Sequence, residues 1–419
     1  MKSKLFAVLF LALSNALILD AVESNFGKSS TQQFIYGEIT TVDNEKYKGH
    51  IRWGSEEVFW FDFFNSTKMG NDNLKWLSNS EEEALTQGKA EKKNWFGRVV
   101  DYGWTTKVDH NHLFACQFGD IKAINVHSGD RVILEFKDGT HYELDGGSND
   151  IGTKVQLSDD ELGVVKLDWR RIKRVEFMQA PKDADTAFGK PLYGVVKTVR
   201  GEYEGFLQWD HDERLDSDVL NGHSSDGEMD IEFGKIKSIK KDDNASHVTL
   251  NSGRSFKLRG TNDVNNGNRG IIVSTPNYGR VDITWGEFEE IHFKDVPDNA
   301  GLAYDDYNGS KKIRGVVNTF DDGTISGDLV FDLDETLQLE MLNGKADHVE
   351  YLIPFSAVKE IKPMNRKESK VTLTNGETFL FQGSVDVNED NDGVLVFAGN
   401  DDKPHYVSWS EVKSISFEQ

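Results

Sequence analysis

Cysteine is nearly absent from this 419-residue chain, which has a single one, Cys116. One thiol cannot form an intramolecular disulfide, so the folded chain must rely on packed cores rather than on cross-links. Cys116 ends the apolar run 113–116, where a small buried thiol is the expected role. After residue 21 no segment approaches the roughly 20 apolar residues of a membrane-spanning helix. The sequence therefore predicts neither a disulfide framework nor a membrane span.

Positive charge is scarce relative to negative charge. The chain has 48 Lys and Arg against 71 Asp and Glu, a formal net charge of −23. A surface this acidic repels phosphate backbones and anionic lipids. We therefore do not expect a nucleic acid as partner. The expected partner is a protein or a glycan.

Motifs of the common enzyme classes are also missing. The chain has no Gly-x-Gly-x-x-Gly after a strand, no phosphate-binding loop, no Gly-x-Ser-x-Gly elbow and no Cys-x-x-Cys pair. We therefore expect a protein without enzymatic activity and without an obligatory cofactor.

Residues 1–21 have the pattern of a secretory signal peptide. Lys2 and Lys4 precede an apolar stretch over 5–19, and small residues suitable for cleavage follow near Ala16 or Ala21. The pattern predicts an exported protein, located in a periplasm or outside the cell.

The same sequence pattern occurs three times. Residues 209–222 are echoed by 331–344 and more faintly by 53–66, and equivalent glycine and tryptophan positions recur around them. Between the second and third occurrence these positions shift by a nearly constant 121 to 124 residues, which indicates duplication. We define copy 1 as 32–179, with an insertion at about 67–109, copy 2 as 191–295 and copy 3 as 311–419.

Each copy alternates apolar and polar residues between Gly, Asp and Asn turns, which is typical of short strands. Residues 248–258, for example, predict two strands joined by a Ser-Gly turn. Five such strands in about 50 to 60 residues favour a small closed barrel. The sequence thus predicts an all-β fold of three tandem repeats, each a pair of five-stranded barrels.

The first half of copy 3, residues 323–339 with 351–361, resembles the two parts of an Sm-like or SH3-like small barrel. The whole pattern also resembles exported bacterial β-repeat proteins of unassigned function. The resemblance implies the fold alone. Where Sm-like RNA binders have a basic Arg-Gly turn, this chain has Ile-Pro-Phe-Ser at 353–356, so RNA binding is not implied.

The repeated hairpin carries the candidate metal ligands. Ca²⁺ takes six to eight oxygen ligands, and a hairpin with several carboxylates can supply some of them. On a regular strand, however, neighbouring side chains point to opposite faces, so turn formation is the competing interpretation. The candidates are Asp210, Asp212, Glu213, Asp332, Asp334 and Glu335.

A second kept group is the Asn-Asp or Val-Asp pair that ends at Asp150, Asp263 and Asp386. Asn and Asp bond readily to nearby backbone groups, so these residues predict a turn. Trp169, Trp285 and Trp409 recur among apolar residues and are expected to anchor the cores.

Copy 1 and its insertion are unusually rich in aromatic residues. Rigid β scaffolds often carry recognition residues on variable segments, although such a segment can equally cover a core. The ligand-binding candidates are Trp60, Trp76, Trp95 and Trp104, and residues 80–83 predict a capped helix.

These patterns together predict an exported, non-enzymatic binding or scaffolding protein. Two alternatives stay open at this point. One is an enzyme acting on extracellular polysaccharide through paired carboxylates, and the other is a Ca²⁺-dependent adhesive module.

Overall fold

The computed structural model describes residues 30–54, 56–85, 113–146, 150–159, 161–182, 184, 188–275, 279–297, 300–307, 311–399 and 403–418. The predicted signal peptide, Trp95 and Trp104 lie outside these residues. Within the described ranges, no helix has the length and apolar character needed to cross a membrane.

Strands dominate the described residues, which confirms the prediction of an all-β chain. Copy 1 contains β1 Tyr36–Thr41, β2 Lys46–Trp53, β3 Phe63–Lys68, β4 Leu113–Gln117, β5 Ile121–Val126, β6 Arg131–Phe136, β7 His141–Asp145, β8 Val155–Asp159, β9 Gly163–Leu167 and β10 Ile172–Phe177. Copy 2 contains β11 Tyr193–Thr198, β12 Glu202–Trp209, β13 Val219–Ser224, β14 Gly227–Glu232, β15 Ile236–Asp242, β16 Ala245–Leu250, β17 Ser255–Leu258, β18 Ile271–Thr275, β19 Gly279–Ile283 and β20 Phe288–Phe293. Copy 3 contains β21 Arg314–Thr319, β22 Thr324–Phe331, β23 Met341–Ala346, β24 Val349–Pro354, β25 Val358–Pro363, β26 Glu368–Leu373, β27 Thr378–Gln382, β28 Val394–Phe397, β29 His405–Val407 and β30 Val412–Phe417.

Helical structure is short in the described part of the chain. Residues 79–85 are α-helical, and Ser78 and Glu81 form the capping box, two residues before the predicted one. The 3-10 turns are Ser30–Gln33, Asp72–Trp76, Phe118–Asp120, Trp169–Arg171, Phe233–Lys235, Asn262–Val264, Tyr304–Asp306, Phe355–Ala357, Val385–Val387 and Trp409–Glu411.

Equivalent strands pair in the same antiparallel order in the three copies. Copy 1 follows the order β9-β8-β2-β1-β10-β5-β6-β7-β3-β4, and copy 3 follows β29-β28-β22-β21-β30-β25-β26-β27-β23-β24. Copy 2 follows it from β19 to β17, where the ribbon of β13 and β14 joins β17 through one isolated bridge, His223 to Arg259.

This order interleaves the two halves of each copy, unlike the predicted succession of two five-stranded units. The last strand of the second half, β20, lies between β11 and β15 of the first half, and β12 pairs with β18. Glycines that recur at equivalent positions of the copies permit this interleaving. A Cβ on Gly194 would lie 2.2 Å from the His292 carbonyl oxygen, and one on Gly205 would lie 2.5 Å from that of Ser274. The glycines therefore allow the strands of one half to approach those of the other.

Paired tryptophans fill the cores of copies 1 and 2. Trp209 and Trp285 meet edge to face at 5.8 Å, and the indole N–H of Trp209 donates to the carbonyl oxygen of Asp263 at 3.0 Å. Copy 1 repeats the arrangement with Trp53 and Trp169. In copy 3, Phe331 packs on Trp409. Trp169, Trp285 and Trp409 are all buried, which confirms their prediction as core anchors, and so is Cys116.

Copy 2 contacts each of the other two copies. Against copy 1, Phe206 packs on Phe59 and Phe61, and the buried Arg214 forms an ion pair with Asp62 at 2.6 Å. Against copy 3 the junction is a strand pairing, in which β19 lies antiparallel to β24.

Copy 3 also packs against copy 1, so the three copies form a closed arrangement. Leu337 and Leu339 of copy 3 are part of the copy 1 core, and Tyr142 and Thr336 hydrogen-bond through their hydroxyls at 2.6 Å. The described start of the insertion lies on copy 3, where Trp76 packs edge to face on Phe397 at 5.8 Å. The three copies thus close on one another instead of forming an open row.

Candidate metal centre

The acidic hairpin of copy 3 is a tight turn rather than a strand. Asp332 and Leu333 both have positive φ, 47° and 62°, and the amide of Asp334 donates to the Phe331 carbonyl oxygen at 3.0 Å. This is the backbone of a type I′ turn. The expectation that alternation separates neighbouring carboxylates was wrong, because strand geometry ends at Phe331, whereas the competing interpretation of a turn is confirmed.

The turn brings three carboxylates of copy 3 into one cluster. Carboxylate oxygens of Asp332, Asp334 and Glu335 all lie within 4.8 Å of one another, and the three residues are 1%, 5% and 7% exposed. Two ligands on opposite sides of a Ca²⁺ ion stand about 4.6 to 5.2 Å apart, twice the usual Ca–O distance. The spacing therefore fits three oxygens on one cation.

Without a cation this cluster is electrostatically unfavourable. Burial raises the pKa of Asp332 well above its usual range, and the nearby carboxylates of Asp386 and Asp392 raise it further. Burial and Asp334 do the same to the pKa of Glu335. One ε-oxygen of Glu335 is buried and has no hydrogen-bond partner among the described residues. Lys68 offsets part of this effect on Glu335, and the remaining charge is neutralised either by a bound cation or by a proton.

Copy 2 has the same turn but supplies its own positive charge. Asp210 and His211 have the positive φ values, 48° and 63°. The guanidinium of Arg269 contacts both Asp210 and Asp212, and its backbone amide donates to Asp210 at 2.5 Å. Asn262 donates to the other oxygen of Asp210. Asp210 and Asp212 are therefore neutralised within the chain, whereas Glu213 keeps one buried oxygen without a hydrogen-bond partner among the described residues, as Glu335 does in copy 3.

The equivalent positions in copy 3 provide neither of these side-chain donors. Asp392 stands where copy 2 has Arg269, and Val385 stands where it has Asn262. The amide of Asp392 still donates to Asp332 at 2.5 Å, so the backbone is preserved. Copy 3 thus exchanges a cation for an additional anion.

Copy 1 has neither charge at this place. Gly54, with φ of 61°, occupies the position of Asp210 and Asp332, and Thr153 faces it. The three copies carry a Gly and Thr pair, an Asp and Arg pair, and an Asp and Asp pair. The residue facing the turn changes together with the turn residue.

The second kept group, which the sequence treats as separate, lies beside this hairpin. Asp386 accepts the backbone amide of Asn343 at 2.6 Å, and Asp263 accepts that of Asn221 at 2.7 Å. The predicted turns are confirmed, since Asn262–Val264 and Val385–Val387 form 3-10 turns, but the two carboxylates bind a distant strand rather than nearby backbone. Asp263 also helps burial to raise the pKa of Glu213 to about 8. In each copy the recurring Asp lies near the recurring Glu of the hairpin: Asp150 near Glu57, Asp263 near Glu213 and Asp386 near Glu335. The presence of both residues in every copy was the sequence signal for this proximity.

A further carboxylate follows in each copy, six residues after the first member of the acidic pair. It has a different structural role. Glu340 accepts the backbone amides of Thr336 and Leu337 at 2.6 and 2.8 Å, and Asp62 and Asp218 make the equivalent contacts in their copies. These residues cap the hairpin and are not part of the metal cluster.

A cleft of about 510 Å³ between copies 1 and 3 reaches the cluster at Asp334. Lys68 of copy 1 lies at its side, 3.3 Å from a carboxylate oxygen of Asp334 and in contact with Glu340. Burial opposes the charge of this lysine, but the two carboxylates outweigh it and raise its pKa. Tyr142, His141 and Asn73 complete the polar wall of the cleft.

The two described ligand-binding candidates are packed against protein. Trp60 is fully buried, packs on Tyr304 and Phe177 and donates its indole N–H to Gln32, so no face of the ring is open to a ligand. Trp76 is half-buried against copy 3. The described part of the insertion therefore covers copy 3.

Comparisons with known proteins do not place the chain in a family. No family model matches it, and no curated protein matches it. A solved structure described as "Streptogramin B lyase structure" is 13% identical over 86% of this chain and 99% of the other, with a TM-score of 0.12. At that TM-score the similarity carries no argument about fold or activity.

Proposed function

We propose that this chain is an exported, non-enzymatic binding or scaffolding protein in which copy 3 holds one divalent cation, with Ca²⁺ as the ion. The observation that carries the proposal is the exchange of Arg269 in copy 2 for Asp392 in copy 3 beside otherwise equivalent carboxylates. A guanidinium neutralises the first turn, and a metal ion neutralises the second.

The chemistry of the ligands favours Ca²⁺ over softer metals. Asp332, Asp334 and Glu335 present oxygen alone, and this cluster of the described residues contains no nitrogen or sulfur ligand. Water and backbone carbonyls complete the six to eight ligands of Ca²⁺, whereas Mg²⁺ demands a tighter octahedron at about 2.0 to 2.1 Å. The cleft at Asp334 gives the ion a route from solvent.

The scaffold role rests on the copies themselves. We propose three tandem copies of one ten-stranded unit, each an interleaved pair of the small Sm-like or SH3-like barrels that the sequence resembles. The equivalent strand registers support this unit, for example Gly194 with Phe293 and Gly315 with Phe417. The absence of enzyme motifs and the pattern of residues 1–21 support a non-enzymatic, exported protein, similar to exported bacterial β-repeat proteins.

Calorimetric titration of the EDTA-treated, dialysed chain with Ca²⁺ tests the proposal. We expect one ion per chain and a rise in Tm, because a ligand at 100 times its Kd stabilises the folded state by about 2.7 kcal/mol. Asp332→Asn and Glu335→Gln should abolish binding. The matched variants Asp210→Asn and Glu213→Gln in copy 2 should leave it intact.

Absence of both binding and a Tm shift at millimolar Ca²⁺ would refute the cation site. Equal loss of binding in the copy 2 variants would also refute it, because copy 3 would then have no special role. For export, fusion of residues 1–21 to a reporter without its own signal should give a secreted, shortened product. Retention of the reporter in the cytoplasm contradicts that part of the proposal.

A further inference from the structure

The junction between copies 2 and 3 is a strand pairing that the chain could repeat elsewhere. Residues of β19 lie opposite those of β24 in the register Arg280 with Leu352, Val281 with Tyr351 and Asp282 with Glu350. This pairing covers the backbone edges of both strands, and the side chains of Val281 and Tyr351 are buried in one hydrophobic core. The last strand pair of one copy is thus joined to the hairpin ribbon of the next.

In copy 1 the strand equivalent to β19 is β9, and in copy 2 the strand equivalent to β24 is β14. Neither β9 nor β14 has a partner on its outer edge among the described residues. The strand β9 pairs with β8 alone, and β14 with β13 alone. Copies 1 and 2 meet instead through the phenylalanine cluster and the Arg214–Asp62 ion pair. The outer edges of β9 and β14 therefore have no strand partner among the described residues, although their equivalents β19 and β24 pair with each other.

Exposure shows the difference between the covered and the open edges. Val164, equivalent to the partly buried Arg280, is 49% exposed, and the adjacent Leu162 is 66% exposed. In β14 the residues Glu228 and Asp230 are exposed and Met229 is partly so. Open strand edges with apolar residues are sites at which another chain can add.

Transfer of the β19–β24 register to these strands gives two complementary pairs out of three. Val165 would lie opposite Met229, and Lys166 opposite Glu228, with Val164 opposite Asp230. The register thus places one apolar pair and one pair of opposite charges across the junction, where direct cross-strand pairs are favourable. In the existing junction Asp282 and Glu350 have like charges, so the open edges are better matched at this position.

We propose that β9 of one molecule pairs with β14 of a second copy of this chain, in the register of β19 and β24. The contact joins two different surfaces, so it is heterologous and generates open chains of molecules or a closed ring. The partner is another molecule of the same protein because both halves of the junction are present on this one.

Charge reversal tests the pairing without disturbing the core. Sedimentation velocity over a concentration series, with EDTA present, should show association of the wild-type chain. Lys166→Glu and Glu228→Lys should each weaken association by about fivefold or more, since like charges then face each other. The double variant should restore it. Lys367→Glu, on an exposed loop of copy 3, is the matched control and should associate normally.

Cysteine cross-linking tests the register. A mixture of tagged Val164→Cys and untagged Asp230→Cys chains should form a mixed disulfide dimer, because directly opposed strand residues have the spacing that a disulfide requires. Asp226→Cys, four residues away in the turn that precedes β14, should not. A monodisperse monomer at all concentrations, association that is insensitive to both charge reversals, or equal cross-linking to residues 230 and 226 would overturn the proposal.

Discussion

Copies 2 and 3 build the same turn on equivalent strands and differ in what faces it. In copy 2 the Arg269 side chain lies against Asp210 and Asp212, whereas in copy 3 Asp392 occupies its place beside Asp332 and Asp334. The backbone contact from the facing residue is 2.5 Å in both. Two hairpins of one chain therefore keep the same geometry although the side chains that face them carry opposite charges.

Exchange of the two facing residues gives the largest expected effect. Asp392→Arg should supply copy 3 with a guanidinium and remove Ca²⁺ binding. Arg269→Asp combined with Asn262→Val should give copy 2 the acidic arrangement of copy 3 and raise the stoichiometry from one ion to two. Equilibrium dialysis with radioactive Ca²⁺ measures both changes, and an unchanged stoichiometry in both variants would contradict the comparison.

Lys68→Met removes the positive charge that copy 1 contributes to the copy 3 side. Asp334 and Glu340 would lose a buried partner, and breaking a buried ion pair costs about 3 to 5 kcal/mol of the free energy of unfolding. Urea unfolding in EDTA measures the loss. Lys413→Met, which removes an exposed pair with Asp322, should cost less than about 1 kcal/mol. Similar losses in the two variants would show that the Lys68 contact is not specially important.

The pH dependence of stability in the variant Glu213→Gln distinguishes copy 2 from copy 3. Burial and Asp263 raise the pKa of Glu213 to about 8, above roughly 4.3 in the unfolded chain. The folded chain then binds this proton more tightly, so stability decreases as pH rises from about 4 to about 8. The variant should match the wild type near pH 4 and have a higher Tm by a few degrees at pH 8.

The equivalent change in copy 3 should behave differently when the ion is present. At pH 8 with Ca²⁺, Glu335→Gln should lower Tm, because the wild-type carboxylate is then an ion ligand. Thermal unfolding at pH 5 and pH 8, with Ca²⁺ or EDTA, distinguishes the two. The exposed Glu161→Gln serves as a control and should show no such dependence. A parallel response of Glu213→Gln and Glu335→Gln in Ca²⁺ would remove the distinction between the copies.

Val385→Asn gives the smallest expected effect. It places in copy 3 the amide that Asn262 provides to Asp210 in copy 2. Since Val385 is 45% exposed, the new hydrogen bond should stabilise the metal-free protein by about 0.5 to 1 kcal/mol. The reverse change, Asn262→Val, should destabilise copy 2 by a similar amount. Denaturant midpoints in EDTA check both, and stabilisation by Asn262→Val would be the contrary result.

Strand content could be predicted from the sequence, but strand partners could not. Residues 248–258 show the period-two alternation, and they form β16 and β17 as predicted. That alternation indicates which side chains share a face of the sheet, but it does not indicate which strand pairs with which. The clue to the interleaving was the recurrence of Gly205 and Gly327 beside that of Gly194 and Gly315, since these positions need close backbone approach.

The acidic residues were found from the sequence, while their convergence was not. Leu333 adopts a positive φ that its side chain disfavours, so nothing in its type indicated the turn. Asp386 and Asp392 lie more than 50 residues from Asp332 along the chain and reach it through strand pairing between the halves. A hairpin considered alone contained three of these carboxylates, and the fold added the rest.

The closed arrangement of the copies has a consequence for how the chain folds. Repeats in an open row are stabilised by neighbours, and such arrays can fold one after another and tolerate the loss of an end repeat. Here Lys68 meets a residue 266 positions later, and copy 1 buries Leu337 and Leu339 from copy 3. During synthesis the core of copy 1 therefore stays incomplete until Leu337 and Leu339 of copy 3 have emerged. Truncation after copy 2 would leave that core uncovered, so the three copies are expected to melt in one transition.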